Sequence, residues 1–418
     1  MLYQPELPPK YTQMDDDDLA AAIADRKRQL GRRVVILGHH YQQDDVIRFA
    51  DFTGDSLKLS QIAARQKDAE FVVFCGVHFM AESADILTGG RVAVILPDLT
   101  AGCSMADMAD LAQVEESWRR LASATGEKII PITYVNSAAS IKAFCGAHDG
   151  ACCTSSNASK VLQWALSQGA KVMFLPDQHL GRNAAYGLGW GLDSMVVYDP
   201  QADNGGLTDE QIRDAKFILW KGHCSVHQLF TPEQCDHYRA LSAGAPSASE
   251  RPSASASPPD RMRDERNRIE SNAEHAAPSS LGRSVAPPPP PWRIIVHPEC
   301  TWEVVQKADL AGSTEFIIKT IDEAPAGSKW AVGTEINLVT RLANRHAGVK
   351  EVRSLAGIQC LCSTMYRIDM PHLLHVLDNL ADGRVVNRIR VDPETRRLAT
   401  LALDRMLANV PAQPLAIK

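Results

Sequence analysis

Residues 34–42, VVILGHHYQ, pass without a break from an apolar run into a polar tip, and that transition decides how the chain is read. An apolar run without alternation suits a strand buried on both faces, and in parallel sheets ligands bind beyond such strand ends. The pattern recurs. Residues 71–74 lead into CGVHFMAES, and 92–96 lead toward Cys103. A second series follows, with 129–133 ending at YVNS, 172–175 at PDQHLG and 217–220 at Cys224. In a third, 293–296 end at HPEC, 316–318 continue the apolar pattern, 330–332 end at GTE, and Cys362 lies near the close. The repeat predicts an α/β fold of three αβα units, related by pseudo-threefold symmetry, whose short parallel sheets pool their tips in one central site.

Helices are predicted between the strands at 56–65, 158–168 and 302–308, with Asp55 and Asn157 as N-caps of the first two. The segment 241–291 is dominated by Ala, Ser, Pro and Arg and ends in five prolines, so it reads as a disordered insertion. The expected organisation is an N-terminal extension and helix over 1–30, a first unit over 31–115 and a second over 116–240. The insertion follows, and 292–418 hold the third unit and C-terminal helices.

With 418 residues, 45% of them hydrophobic, the chain can bury a sizeable core. A net charge of −6 leaves no broad basic surface, which argues against nucleic acid or anionic membrane as the main partner. The start, MLYQPELPPKYTQMDDDDL, has neither a basic opening nor an apolar run, and no stretch is of membrane-spanning length. The expected location is the cytoplasm. In that compartment ten cysteines read as metal or catalytic thiols mixed with buried structural ones.

Each unit offers one late thiol: Cys103 in AGCSMADM, Cys224 in WKGHCSVH and Cys362 in CLCSTM. Three thiolates suit a [4Fe–4S] cluster with one iron open, which would act as a Lewis acid. By spacing alone, with no compact CxxC run, ordinary buried cysteines are the slightly favoured reading.

The strings LGHHYQ, GDS, AGCSMADM, YVNS, CTSSNA, LPDQHLG, HPEC, GST and GTE, in that order, resemble the motif series of the quinolinate synthase family. The likeness spans 34–365, the insertion excepted. It implies condensation of iminoaspartate with dihydroxyacetone phosphate to quinolinate, phosphate and water, on the way to the nicotinamide ring of NAD. It also implies three αβα units around one [4Fe–4S] cluster, with Cys103, Cys224 and Cys362 as ligands. The family's last ligand is often followed by proline, as in CPxM. Here Ser363 and Thr364 precede Met365, whose position favours Cys362 over Cys360.

By the same resemblance Glu299, Tyr41 and His297 form the catalytic set and His39 contacts substrate. Tyr134 and Asn136 would orient a carboxylate. Ser56, Thr154, Ser155, Ser313 and Thr314 stand at predicted helix starts, where hydroxyls and free N–H groups can hold carboxylates and phosphate. A carboxylate among several anions is expected to have a raised pKa, which would suit Glu299 to move protons. His40 and His78 read as structural, and His227 as a support for the site or a substrate contact. Cys75, Cys145, Cys152, Cys153 and Cys235 read as structural, and Cys300 is set aside in favour of its neighbours His297 and Glu299.

The expected partners are those two small molecules, with a functional link to the enzyme that supplies iminoaspartate, and the chain is expected as a monomer or homodimer. Two rival readings are another open-cluster hydro-lyase acting on a hydroxy acid and a non-enzymatic metal-binding regulator.

Overall fold

The computed structural model describes residues 3–243, 290–357 and 360–408. The chain is α/β, with three short and largely parallel sheets flanked by helices. The first holds β1 (Val34–His39), β2 (Phe52–Gly54), β3 (Phe71–Cys75) and β4 (Ala93–Ile95), in the order β2-β1-β3-β4. The second holds β5 (Ile129–Tyr134), β6 (Ala151–Cys153), β7 (Lys171–Leu175), β8 (Met195–Tyr198) and β9 (Phe217–Trp220), ordered β6-β5-β7-β9-β8. The third holds β10 (Trp292–Val296), β11 (Leu310–Ala311), β12 (Lys329–Gly333) and β13 (Glu351–Ser354), ordered β11-β10-β12-β13. In each, the strand that opens the unit lies between the second and third, so its polar tip sits mid-sheet. A last strand, β14 (Arg388–Ile389), joins the first sheet antiparallel to β4.

The apolar runs form strands because helices cover both sheet faces: Ile36 and Leu37, Val72 to Cys75, and Ile218 to Trp220 are all fully buried. Parallel register keeps the tips level, with Gly38 opposite Cys75 and His39 opposite Gly54.

Helices at Ser56–Arg65 and Ala158–Gln168 stand where predicted, and the third ends one residue early, as Trp302–Lys307. The Asp55 carboxylate caps its helix by accepting from the Lys58 N–H. Asn157 does not cap in this way; its Oδ1 turns back to accept from the Thr154 N–H (2.6 Å) and hydroxyl (3.0 Å), closing the turn before the helix. Residues 316–318 are not strand but part of the helix Thr314–Glu323. Ser313 caps that helix through Phe316 N–H, and Ile317 and Ile321, four apart, bury one face. The two-residue β11 pairs with β10 in its place.

The C-terminal segment binds the first two units together. Helix Met370–Ala381 packs on Asp16–Leu30, and helix Pro393–Ala408 packs on Ala139–Ala147. Leu373, Leu377 and Leu403 are fully buried there, each a gain of about 1.5–3 kcal/mol relative to exposure. Most of the predicted insertion, 244–289, lies outside the described residues. Among the described residues no helix is long and apolar enough to cross a membrane.

Candidate active site

One cavity collects the tips of all three sheets, and with its mouth it encloses about 720 Å³. The first sheet contributes His39 at the end of β1, Tyr41 beyond it, Ser56 after β2, and Cys103 after β4. From the second come Tyr134 and Asn136 at β5, Thr154 and Ser155 after β6, and Cys224 after β9. His297 and Glu299 follow β10, Thr314 follows β11 and Cys362 follows β13. Ser313 is buried beside Thr314 but does not line the cavity; its hydroxyl is taken up by its helix.

The three cysteines share a local design. The Cys103 sulfur accepts backbone N–H groups of Met105 and Ala106, that of Cys224 accepts from His227, and that of Cys362 accepts from Thr364 and Met365. Every sulfur thus meets the N–H three residues ahead. Gly222 lets the chain make the Cys224 turn, since a Cβ there would lie 2.2 Å from the Pro176 carbonyl oxygen. Cys360, two residues from Cys362, is fully buried in the core of the third unit and does not reach the cavity.

Burial pushes all three thiols up, Cys103 to about 12, and each also feels at least one of the others or a nearby carboxylate. Thiolates here would need cationic compensation. Three soft donors with N–H groups aimed at sulfur fit an iron–sulfur cluster, whose ligand sulfurs are tuned by such hydrogen bonds. Among the described residues the three sulfurs do not form one group within 4.8 Å. Among the described residues, the ligand atoms of Cys224, His227 and Glu299 do close within 4.8 Å.

Glu299 is the electrostatic centre of the site. His227 Nδ1 lies 2.8 Å from its Oε2, a close charge contact without good hydrogen-bond alignment, and His297 Nδ1 is 3.8 Å from Oε1. Burial raises this carboxyl, but His297, His227 and the Tyr134 hydroxyl together outweigh it and hold the pKa down at about 2. The expectation of a raised value is therefore corrected: imidazoles and a phenol surround the group, where anions were expected.

Tyr41 OH lies 3.0 Å from Thr314 Oγ1 and 2.9 Å from Thr334 Oγ1, and Thr334 Oγ1 lies 3.2 Å from His227 Nε2. Through Glu299, Tyr134 and Ser155 the polar chain continues into the second sheet. Burial brings His39 and His297 to about 3, so both are neutral. Their Nδ1 atoms accept from the Tyr41 and Glu299 N–H groups, which leaves Nε2 to carry the proton. His40, by contrast, pairs with Glu315 at 3.0 Å, and His78 is 3.8 Å from Glu82. Sequence reasoning missed Thr334, although GTE carries it; its signal was its place directly after β12.

Fold and cavity define a class: an α/β enzyme whose site is assembled from the strand ends of three sheets and carries three soft thiols. Residues 21–249 and 283–408 match the family model described as quinolinate synthetase A protein. Quinolinate synthase of Acidobacterium capsulatum is 50% identical over 400 residues, covering 95% of this chain and 94% of that one. That of Streptomyces coelicolor is 51% identical, covering 96% and 91%, and that of Anoxybacillus flavithermus 49%, covering 96% of each. The chain belongs to the quinolinate synthetase A family and is an enzyme of the quinolinate synthase type.

Proposed function

We propose that the chain condenses iminoaspartate with dihydroxyacetone phosphate, giving quinolinate, phosphate and water for de novo NAD biosynthesis in the cytoplasm. The observation that carries this reading is the meeting of three half-buried thiols with the polar chain through Glu299 in one cavity. Cys103, Cys224 and Cys362 would hold one [4Fe–4S] cluster, which when bound supplies an open iron as a Lewis acid. The three units would then stand around a common axis through that centre.

The chain's own residues account for binding and proton movement. Glu299, ionised between two imidazoles, is a proton acceptor as the substrates arrive. Tyr134, whose phenol is kept protonated by burial, donates to Glu299 and holds it in place, and the proton that Glu299 takes from substrate is returned by Glu299 to a departing hydroxyl, which leaves as water. His39 and His297 offer Nε2–H donors to carboxylate oxygens. Ser56, Thr154, Ser155 and Thr314 line the cavity near helix starts, where the phosphate and the other carboxylate would be held, and Ser313 caps the helix that carries Thr314. Tyr41, tied to two threonines, is oriented toward the same space, and Asn136 supplies a neutral amide.

The test is anaerobic assay of quinolinate formation with metal and sulfide analysis. Native protein should hold about four iron and four sulfide and turn over. Cys103→Ala should lose both properties, whereas Cys360→Ala should keep them. No product from cluster-replete protein overturns the reading. The compact Cys224, His227 and Glu299 group favours one alternative, a single-ion site; stoichiometric zinc without sulfide would establish it.

A further inference from the structure

A second pocket lies away from the catalytic cavity and shares no residue with it; Gly90, Arg388, Arg390, Asp392 and Arg396 form most of its lining. Arg396 is fixed there: one Nη2 donates to Asp85 Oδ2 at 2.8 Å and to the Val391 carbonyl at 2.9 Å. Its guanidinium rests on Gly90, whose φ is +71° and where a Cβ would lie 2.9 Å from the guanidinium nitrogens. Arg388, on β14, and Arg390, just beyond it, are different. Among the described residues neither has a carboxylate or carbonyl partner, and the Nε atoms of Arg388 and Arg396 are buried without an acceptor.

The one carboxylate in the lining, Asp392, is in no ion pair with them among the described residues. Asp392 Oδ1 accepts from the N–H groups of Glu394 (3.1 Å) and Thr395 (3.0 Å), capping helix Pro393–Ala408. Asp85 is matched to Arg396. Arg388 and Arg390 therefore bring two positive charges to the lining against the single negative charge of Asp392, and among the described residues neither is in an ion pair, in a chain of net charge −6. Buried N–H donors without acceptors are unfavourable, and guanidinium forks pair best with planar or tetrahedral oxyanions. Guanidinium groups arriving from both the strand and the helix fit an anion with oxygens on several sides, as a phosphoryl group has.

We propose that this pocket binds a small phosphorylated anion at a site distinct from the catalytic cavity. Pyrophosphate is the probe, titrated calorimetrically into the full-length, cluster-replete protein at fixed ionic strength. Wild type should show a saturable site that Arg388→Gln/Arg390→Gln weakens on the order of tenfold or more, with quinolinate formation unchanged. Arg390→Gln alone, a change at an exposed side chain that leaves folding intact, should weaken the same site several-fold. Identical pyrophosphate binding in wild type and Arg390→Gln, or no saturable binding beyond that abolished by Thr154→Ala/Thr314→Ala, overturns the proposal.

Discussion

Glu299 shows how far a side chain's chemistry depends on its neighbours. In water it is an ordinary carboxylate; between His227 and His297 it is buried and still ionised. Glu299→Gln keeps the shape and removes the charge. Quinolinate formation should fall on the order of a hundredfold or more, while iron and sulfide content stay at the wild-type level. A parallel loss of iron would instead make Glu299 a support for the metal site. The thiols follow the same logic, since burial that raises a free thiol also keeps water from the metal it would bind.

Among the elements, helix Met370–Ala381 is joined to the N-terminal helices through one carboxylate. Asp378 accepts from Arg26 Nε at 2.6 Å, Tyr11 OH at 3.0 Å and Lys10 Nζ at 3.3 Å. Burial raises its pKa, but these three donors outweigh burial and bring it below the usual 3.8. A depressed folded value means the anion is favoured on folding. The stabilisation is complete above the unfolded value, fades below pH 3.8 and is gone once the pH passes the folded value. Because Lys10 is exposed and Arg26 partly so, screening holds the effect of Asp378→Asn to about 1 kcal/mol at pH 7. Urea melts should show that difference at pH 7 and a smaller one below pH 3.8. An equal difference at both would assign the loss to packing.

In the whole molecule, the two ends that flank 244–289 are already joined. Trp292 N–H donates to Ser242 Oγ at 2.9 Å, so helix Pro232–Ser242 and β10 meet without help from the residues between them. The family match also leaves out 250–282. Deleting 247–287 should leave quinolinate formation and the thermal midpoint close to those of the full chain. A large fall in either would make the segment part of the fold. The closure that matters lies elsewhere: the cavity needs tips from three sheets, and the C-terminal helices hold the first two in place.

Read alone, the sequence determined what depends on local pattern. Apolar runs marked the long central strands, the polar strings after them marked the site, and Asp55 with the following amphipathic stretch marked the helix Ser56–Arg65. Strands of two or three residues, such as β2, β6 and β11, carry too little pattern to be seen, because pairing to a longer neighbour makes them. The apolar residues of 316–318 fit either period, and the Ser313 cap with the buried Ile317 and Ile321 face decided for helix. Only the tertiary structure determined that Cys362 faces the cavity while Cys360 enters a core, that Thr334 links Tyr41 to His227, and that Glu299 stays charged. Each of these depends on groups brought together from distant parts of the chain, and burial, distance and charge between such groups are properties of the packed molecule.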